Sequence, residues 1–527
     1  MIPRLALPPS PALLALILVA FALPGLAGHD PWKPFDVVGI EIVHQMHVTG
    51  DWLVPRLAGE PWLDDPPLYH WVALAFAKAF GGLLQFHNAA RLASGAFFLA
   101  AAWFLYRAAG PAAALILAGS TGLIVHAHET VPDLATLAAA CAALGLLDRA
   151  DERPALRGAL FGLAVAVAFL STGVTHAAVL LGVAIAVHAF SPRLRTPGSI
   201  AFLAPAFLLG TALSATWPLA LWLRAPEALA LWWESGVRAQ GNVAENLRYF
   251  ASTAIWFAWP AWPLAAWATW SCRRELREPG VLAPLLAALA IFTGIVVAGP
   301  AQDINHTALL APLALLGARG IPSLRRGATN ALDWFGIMTF GFFAGIVWFG
   351  WFAMMTGTPA RMANNFTKTT PGFVASFDPI AFAVALAITL LWAALAFRTA
   401  PSPTRSVTRW AGGTALLWGV FSMLWIPWAD HIKSYRHVAL DLKAALSGTR
   451  ECVAQRHLGV PQLAALSYHG GISAKPFDPS RPTACRLLIV QGGPRDEAGV
   501  PGPRWTRMAE AARPGDRHER YRLYRHP

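Results

Sequence analysis

Apolar runs long enough to cross a hydrocarbon core of about 30 Å recur along most of this chain, each bounded by Arg, Pro, Gly or Trp. Lipid offers the backbone no hydrogen-bonding partners, so such runs must be helices and the part of the chain that they form is all-α. Composition agrees: 56% of the 527 residues are hydrophobic and 13% are charged, about half the charge of a soluble chain. The twenty-three Trp residues suit the same class, because indole rings collect where headgroups meet acyl chains. A polytopic membrane protein follows, and nothing in its composition points to a nucleic-acid partner.

Spans are expected near residues 11–27, 91–106, 111–126, 132–147, 158–174, 177–190, 199–218, 252–270, 281–299, 307–318, 331–354, 379–397 and 410–427, about thirteen in all. With the N-terminus inside, the cytoplasmic loops collect Arg107, Arg149, Arg153, Arg157, Arg193, Arg195, Arg273, Arg274 and Arg277. Arg319, Arg325, Arg326, Arg398, Arg405 and Arg409 follow on the same side, whereas loops 126–131, 172–176 and 300–306 hold no Lys or Arg. That alternation is the positive-inside pattern. The apolar stretch Leu68–Leu84 must then lie along the interface, since a crossing there would put every later Arg cluster outside. The first run also has signal-peptide features in Arg4, its apolar core and the small residues at Gly25–Gly28; cleavage would leave the remaining topology unchanged.

These signs predict a multi-pass protein of a bacterial-type inner (cytoplasmic) membrane. Its membrane module would span residues 1–429, with a first periplasmic loop at 28–90, and a small periplasmic α/β domain would span 430–527. In that tail Leu463–Tyr468 and Cys485–Gln491 read as strands, and Val438–Leu446 and Trp505–Ala512 as helices. The tail holds sixteen Lys and Arg against nine Asp and Glu, a surplus that serves solubility or faces anionic lipid. Cys452 and Cys485 lie beside strand-like segments in an oxidising compartment, which predicts a disulfide. Cys141 and Cys272 fall in or beside apolar runs, where a small hydrophobe is the default role.

Ionisable groups at a bilayer are costly without a use, and here they cluster on the outer side. Asp30, Lys33, Asp36, Glu41, Asp51, Asp64 and Asp65 lie in the first loop, and His126, His128, Glu129, Asp133, His176, Asp303 and His306 at later span ends. The pattern suits chemistry in a cavity at the outer surface better than an ion path through the midplane. Residues Val37–His47 place Val37, Ile40, Val43 and His44 on one helical face with Asp36, Glu41 and Gln45 elsewhere, which predicts an amphipathic helix lying on the membrane. Asp64-Asp65-Pro66-Pro67-Leu68 starts a second such helix.

Thr49-Gly50-Asp51-Trp52-Leu53-Val54-Pro55, then Gly59-Glu60-Pro61, then Pro66-Pro67-Leu68-Tyr69 resemble the first periplasmic loop of GT-C glycosyltransferases related to the lipid A aminoarabinose transferase. Protein O-mannosyltransferases are more distant relatives. The similarity continues at Ala90-Arg91-Leu92, at His128-Glu129 with Asp133, at Trp232–Gly241 with Arg238, and at His306–Leu316, covering roughly residues 12–320. What the resemblance implies is a hexosyl- or pentosyltransferase. It would move a sugar with inversion from a polyprenyl-phosphate donor to a lipid, glycan or protein acceptor in the periplasm, surrounded by membrane lipids. It nominates Asp36 or Asp30 as the base, and Lys33, Tyr69, Arg91, Glu129, Asp133 and Arg238 as substrate contacts. Asp64 and His306 become candidate ligands of a divalent metal ion.

Set against these readings are plainer ones. Asp36 and Asp64 each suit a helix N-cap, the histidines suit a core or an interface, and Arg91 and Arg238 suit lipid headgroups. The chain also departs from the family pattern. Phe35 and Asp36 stand where an Asp-Glu pair is usual, Asp65 stands where a Lys is expected near phosphate, and Thr172 replaces a second Lys. A catalytically inactive relative that binds a lipid or partner is therefore a second reading. A transporter is a third, although neither midplane charges nor an internal repeat is found in the sequence.

Overall fold

The computed structural model describes residues 10–235, 242–399, 401–447, 451–477, 485–495, 502 and 504–527. Six of its helices are long and apolar enough to cross a membrane unaided: Phe86–Ala109, Pro154–Thr172, Gly198–Arg224, Pro279–Ala298, Arg326–Thr356 and Pro379–Arg398. The other expected spans correspond to shorter or interrupted helices, apart from 410–427, which falls mostly in the 20-residue, less apolar helix Arg405–Leu424. Pro11–Ala22 starts on Ser10, whose Oγ accepts the Leu13 N–H, and Leu310–Gly320 runs for only 11 residues. The span expected at 252–270 is broken between Val243–Phe257 and Ala261–Ser271, where Pro260 interrupts it. The carbonyls freed there accept N–H groups from Thr121 and Gly122, the kind of repair that a backbone break at membrane depth requires.

The first loop folds as two helices, Asp36–Thr49 and Leu68–Phe80, joined by a short hairpin pairing Arg56 with Pro61 and Leu57 with Glu60. Gly50, at positive φ, ends the first helix, as a left-handed C-cap favours. This helix does not lie on the membrane with one polar face in water. Its apolar side packs Ile40, Val43 and Met46 against Leu74 and Ala90, Val37 joins the core of the C-terminal domain, and Asp36 and Glu41 are buried as well.

The C-terminal domain is a five-stranded mixed sheet. Its strands lie in the order Ala474–Pro476, Val453–Arg456, Leu487–Gly492, Arg520–Arg525, Thr506–Ala511, the first three parallel and the last two antiparallel. Helices Arg436–Ala445 and Val460–Gly470 cover it, and Cys452 and Cys485 are disulfide-bonded. Two expectations are reversed: Leu463–Tyr468 belongs to the second of these helices, and Trp505–Ala512 contributes the edge strand. The helix Ile426–Lys433 straddles the expected boundary at 429/430.

Candidate functional site

Where the first loop meets the ends of the membrane helices and the C-terminal domain, they enclose a cavity of about 360 Å³. Phe35 and Gly39 of the first-loop helix form one wall, and Val460 and Pro461 of the C-terminal domain close another. Asp64, Asp65 and Asp133 face it, as do His70, Thr172 and His176, and among its described lining residues there is no Lys or Arg. Burial pushes the Asp65 carboxyl well above the usual carboxylate range, and the neighbouring Asp133 and Asp64 push it further. Burial lowers His70 to about 4, so this imidazole adds no positive charge near neutrality.

Asp36 stands behind that wall. Arg91, fully buried, donates from Nη2 to Oδ2 at 2.7 Å and from Nε to both oxygens at 3.0 and 3.2 Å, while the Thr130 N–H donates to Oδ1 at 2.9 Å. Arg91 Nη1 reaches the His29 carbonyl at 3.0 Å and Asn88 Oδ1 at 3.1 Å. Burial opposes the Asp36 charge, but the Arg91 guanidinium outweighs it and holds the pKa below the usual value. A carboxylate so saturated has no lone pair for a substrate proton. Gly39 permits the arrangement, because a Cβ there would come 1.9 Å from the Thr130 carbonyl oxygen.

Asp30 is likewise engaged. Ser434 Oγ donates to it at 2.6 Å, Arg436 Nε at 2.8 Å, and Arg436 Nη2 closes the fork. Burial again opposes its charge, and these donors hold it well below the carboxylate range. Lys33 pairs with Glu519 at 2.8 Å, and Glu519 also accepts from Tyr435 at 2.7 Å. Both first-loop residues therefore fasten the C-terminal domain and do not face the cavity.

The remaining sequence candidates divide. Asp64 and Asp133 line the cavity, whereas Asp30, Lys33, Asp36, Tyr69 and Arg91 do not. Tyr69 is buried with its hydroxyl 2.6 Å from Ser94 Oγ. Glu129 binds His126, with Oε2 2.5 Å from Nδ1, and Asp303 stands 3.5 Å from the other ring nitrogen. His306 does not meet Asp64: its ring nitrogens face the carbonyls of Asp303 at 2.9 Å and Phe250 at 3.0 Å. Among the described residues no three His, Cys, Asp or Glu converge as metal ligands. Neither Asp36 nor Asp64 caps its helix, whose N-caps are Phe35 and Pro67. Arg238 lies outside the described residues. Sequence reasoning passed over Asp65 as a base, having read it only as a reversed charge.

No protein-family model matches the chain, and no curated protein does. Solved structures do. ArnT from Cupriavidus metallidurans bound to undecaprenyl phosphate matches with a TM-score of 0.70 at 18% identity, over 97% of both chains. The same protein in the apo state gives 0.68 at 18% identity, again over 97% of both. An Archaeoglobus fulgidus oligosaccharyltransferase tethered to an acceptor peptide gives 0.48 at 12% identity, over 88% of this chain and 63% of that one. The chain thus has an ArnT-like fold.

Proposed function

We propose that the protein is a membrane glycosyltransferase that moves a sugar from a polyprenyl-phosphate donor to a hydroxyl of a lipid, glycan or protein acceptor, with inversion and with Asp65 as the base. The observation that carries this reading is the cavity with three carboxyls, one of which, Asp65, has its proton affinity raised by burial and by the neighbouring Asp133 and Asp64. As the acceptor oxygen bonds to the anomeric carbon, its proton passes to Asp65 and the carbon–oxygen bond to the phosphate breaks, releasing polyprenyl phosphate. The ArnT-like fold, seen in that protein with undecaprenyl phosphate, supports a lipid-phosphate donor. Among the described residues no cation lines the cavity to meet a leaving phosphate, a role that the resemblance gives to Arg238, which lies outside the described residues. In the proposed orientation the cavity and the C-terminal domain are periplasmic, as the Arg-free outer loops favour.

A binding protein of the same fold is the second reading. It is favoured by Phe35, which lines the cavity where the resemblance expects a carboxylate. Mass spectrometry of envelope lipids and glycans, from cells with and without the gene and from cells carrying Asp65→Asn, separates the two. A product missing from both the deletion and the variant supports transfer. Identical profiles in all three refute it and leave the binder.

A further inference from the structure

A second crevice lies between helices Ala261–Ser271 and Arg326–Thr356, with a volume of about 540 Å³. Trp259, Leu264 and Trp267 line one side, Leu332 and Phe335 the other, and Arg325 stands at one end. The long helix gives its depth in the membrane. Its Thr356 end leads toward Pro371, whose carbonyl meets His431 beside the C-terminal domain at 3.1 Å. Its 31 residues therefore set Arg325 about 46 Å from that side. The crevice opens on the opposite leaflet.

From Arg325 to Phe335 the helix rises about 15 Å, which is half of a hydrocarbon core of about 30 Å. The apolar slot thus has the length of one leaflet's acyl chains, with its cation at headgroup depth. The nearby acid Asp333 is already bound by Arg409 at 2.7 Å and Arg405 at 2.9 Å. Arg325 is exposed and has no ion pair among the described residues. Trp267 Nε1 is satisfied by Ser323 Oγ at 3.0 Å, so the mouth needs no further acceptor. The crevice thus presents apolar walls along its length and a cation at its end, with Trp259 Nε1 in its lining buried without a hydrogen-bond partner among the described residues.

We propose that this crevice binds one anionic phospholipid of the leaflet opposite the catalytic cavity, an acyl chain lying between Trp259 and Phe335 and the headgroup phosphate against Arg325. The site is independent of the transfer reaction. One cation at an anionic surface gives a preference of about fivefold over a zwitterionic lipid.

Native mass spectrometry of the full chain tests this, with phosphatidylglycerol, phosphatidylcholine and undecaprenyl phosphate as probes. The wild type should retain one phosphatidylglycerol with about that preference. Arg325→Gln, on the exposed surface, should lose the preference while still holding a lipid. Ala328→Trp should fill the crevice and lose the lipid, and Arg326→Gln should behave as wild type. Equal retention of both phospholipids by the wild type overturns the proposal, as does an unchanged preference in Arg325→Gln. Displacement of phosphatidylglycerol by equimolar undecaprenyl phosphate, or a dimer that excludes lipid, overturns it equally.

Discussion

At the scale of single residues, the site rests on two aspartates with opposite surroundings. Asp36 has every lone pair committed to Arg91 and Thr130, whereas Asp65 is crowded by two other carboxyls. Asp36→Asn should leave Arg91 buried with its charge uncompensated, costing about 3–5 kcal/mol. Thermal melting in detergent should show that loss, while turnover per folded molecule persists. Asp65→Asn should do the reverse, melting normally and transferring about 10²- to 10⁴-fold more slowly. As the proposed base Asp65 would act deprotonated, and its pKa is raised, so transfer should climb with pH through a midpoint well above the ordinary carboxylate value of about 4. Asp133→Asn removes one of the repelling charges and should move that midpoint down, which a pH–rate profile reads directly. Asp64, in the first loop, and Asp133, at a span end, both line the cavity, and the clustering of ionisable groups on one side of the membrane made them legible as candidates. The sequence could not anticipate that Asp36 and Arg91, 55 positions apart, would neutralise each other.

At the scale of elements, the first-loop helix is wedged on several sides at once. Gly39→Ala would drive a methyl group into the Thr130 carbonyl, and relief by moving the helix would pull Asp36 from Arg91. The expected cost is about 1–3 kcal/mol, with faster proteolysis of the first loop as the readout. The amphipathic pattern located this helix but not its burial, since Arg91 and Thr130, the partners that hold Asp36, come from distant segments. Leu463–Tyr468 was misread because a short apolar run has no period that separates strand from buried helix. Trp505–Ala512 was misread because its Met, Ala and Glu favour helix, and the pairing with Arg520–Arg525 overrides that preference. The membrane helices were legible because length and apolarity alone define them; their breaks were not, since what repairs a break is tertiary.

For the whole molecule, the decisive joint is the one between the first loop and the C-terminal domain, held by Asp30–Arg436 and Lys33–Glu519. Both carboxylates have depressed pKa values, through Arg436 and Ser434 for Asp30 and through Lys33 and Tyr435 for Glu519, each against the effect of burial. Such groups contribute stability above their unfolded values of about 4, and that contribution is lost as pH falls through the lower folded ones. Docking should therefore hold at neutrality and loosen below about pH 4, seen as faster hydrogen exchange in Arg436–Ala445. Asp30→Asn should weaken the joint at neutral pH and flatten its response to acid.

The joint also bears on biogenesis. Val460 and Pro461, which line the cavity, follow every membrane helix in the chain and so are made after them. A nascent or prematurely terminated chain can insert its whole bundle and still have an open-sided chamber. On the proposed function, the order of synthesis would work as a safety catch, keeping half-built copies from acting on a lipid-linked sugar.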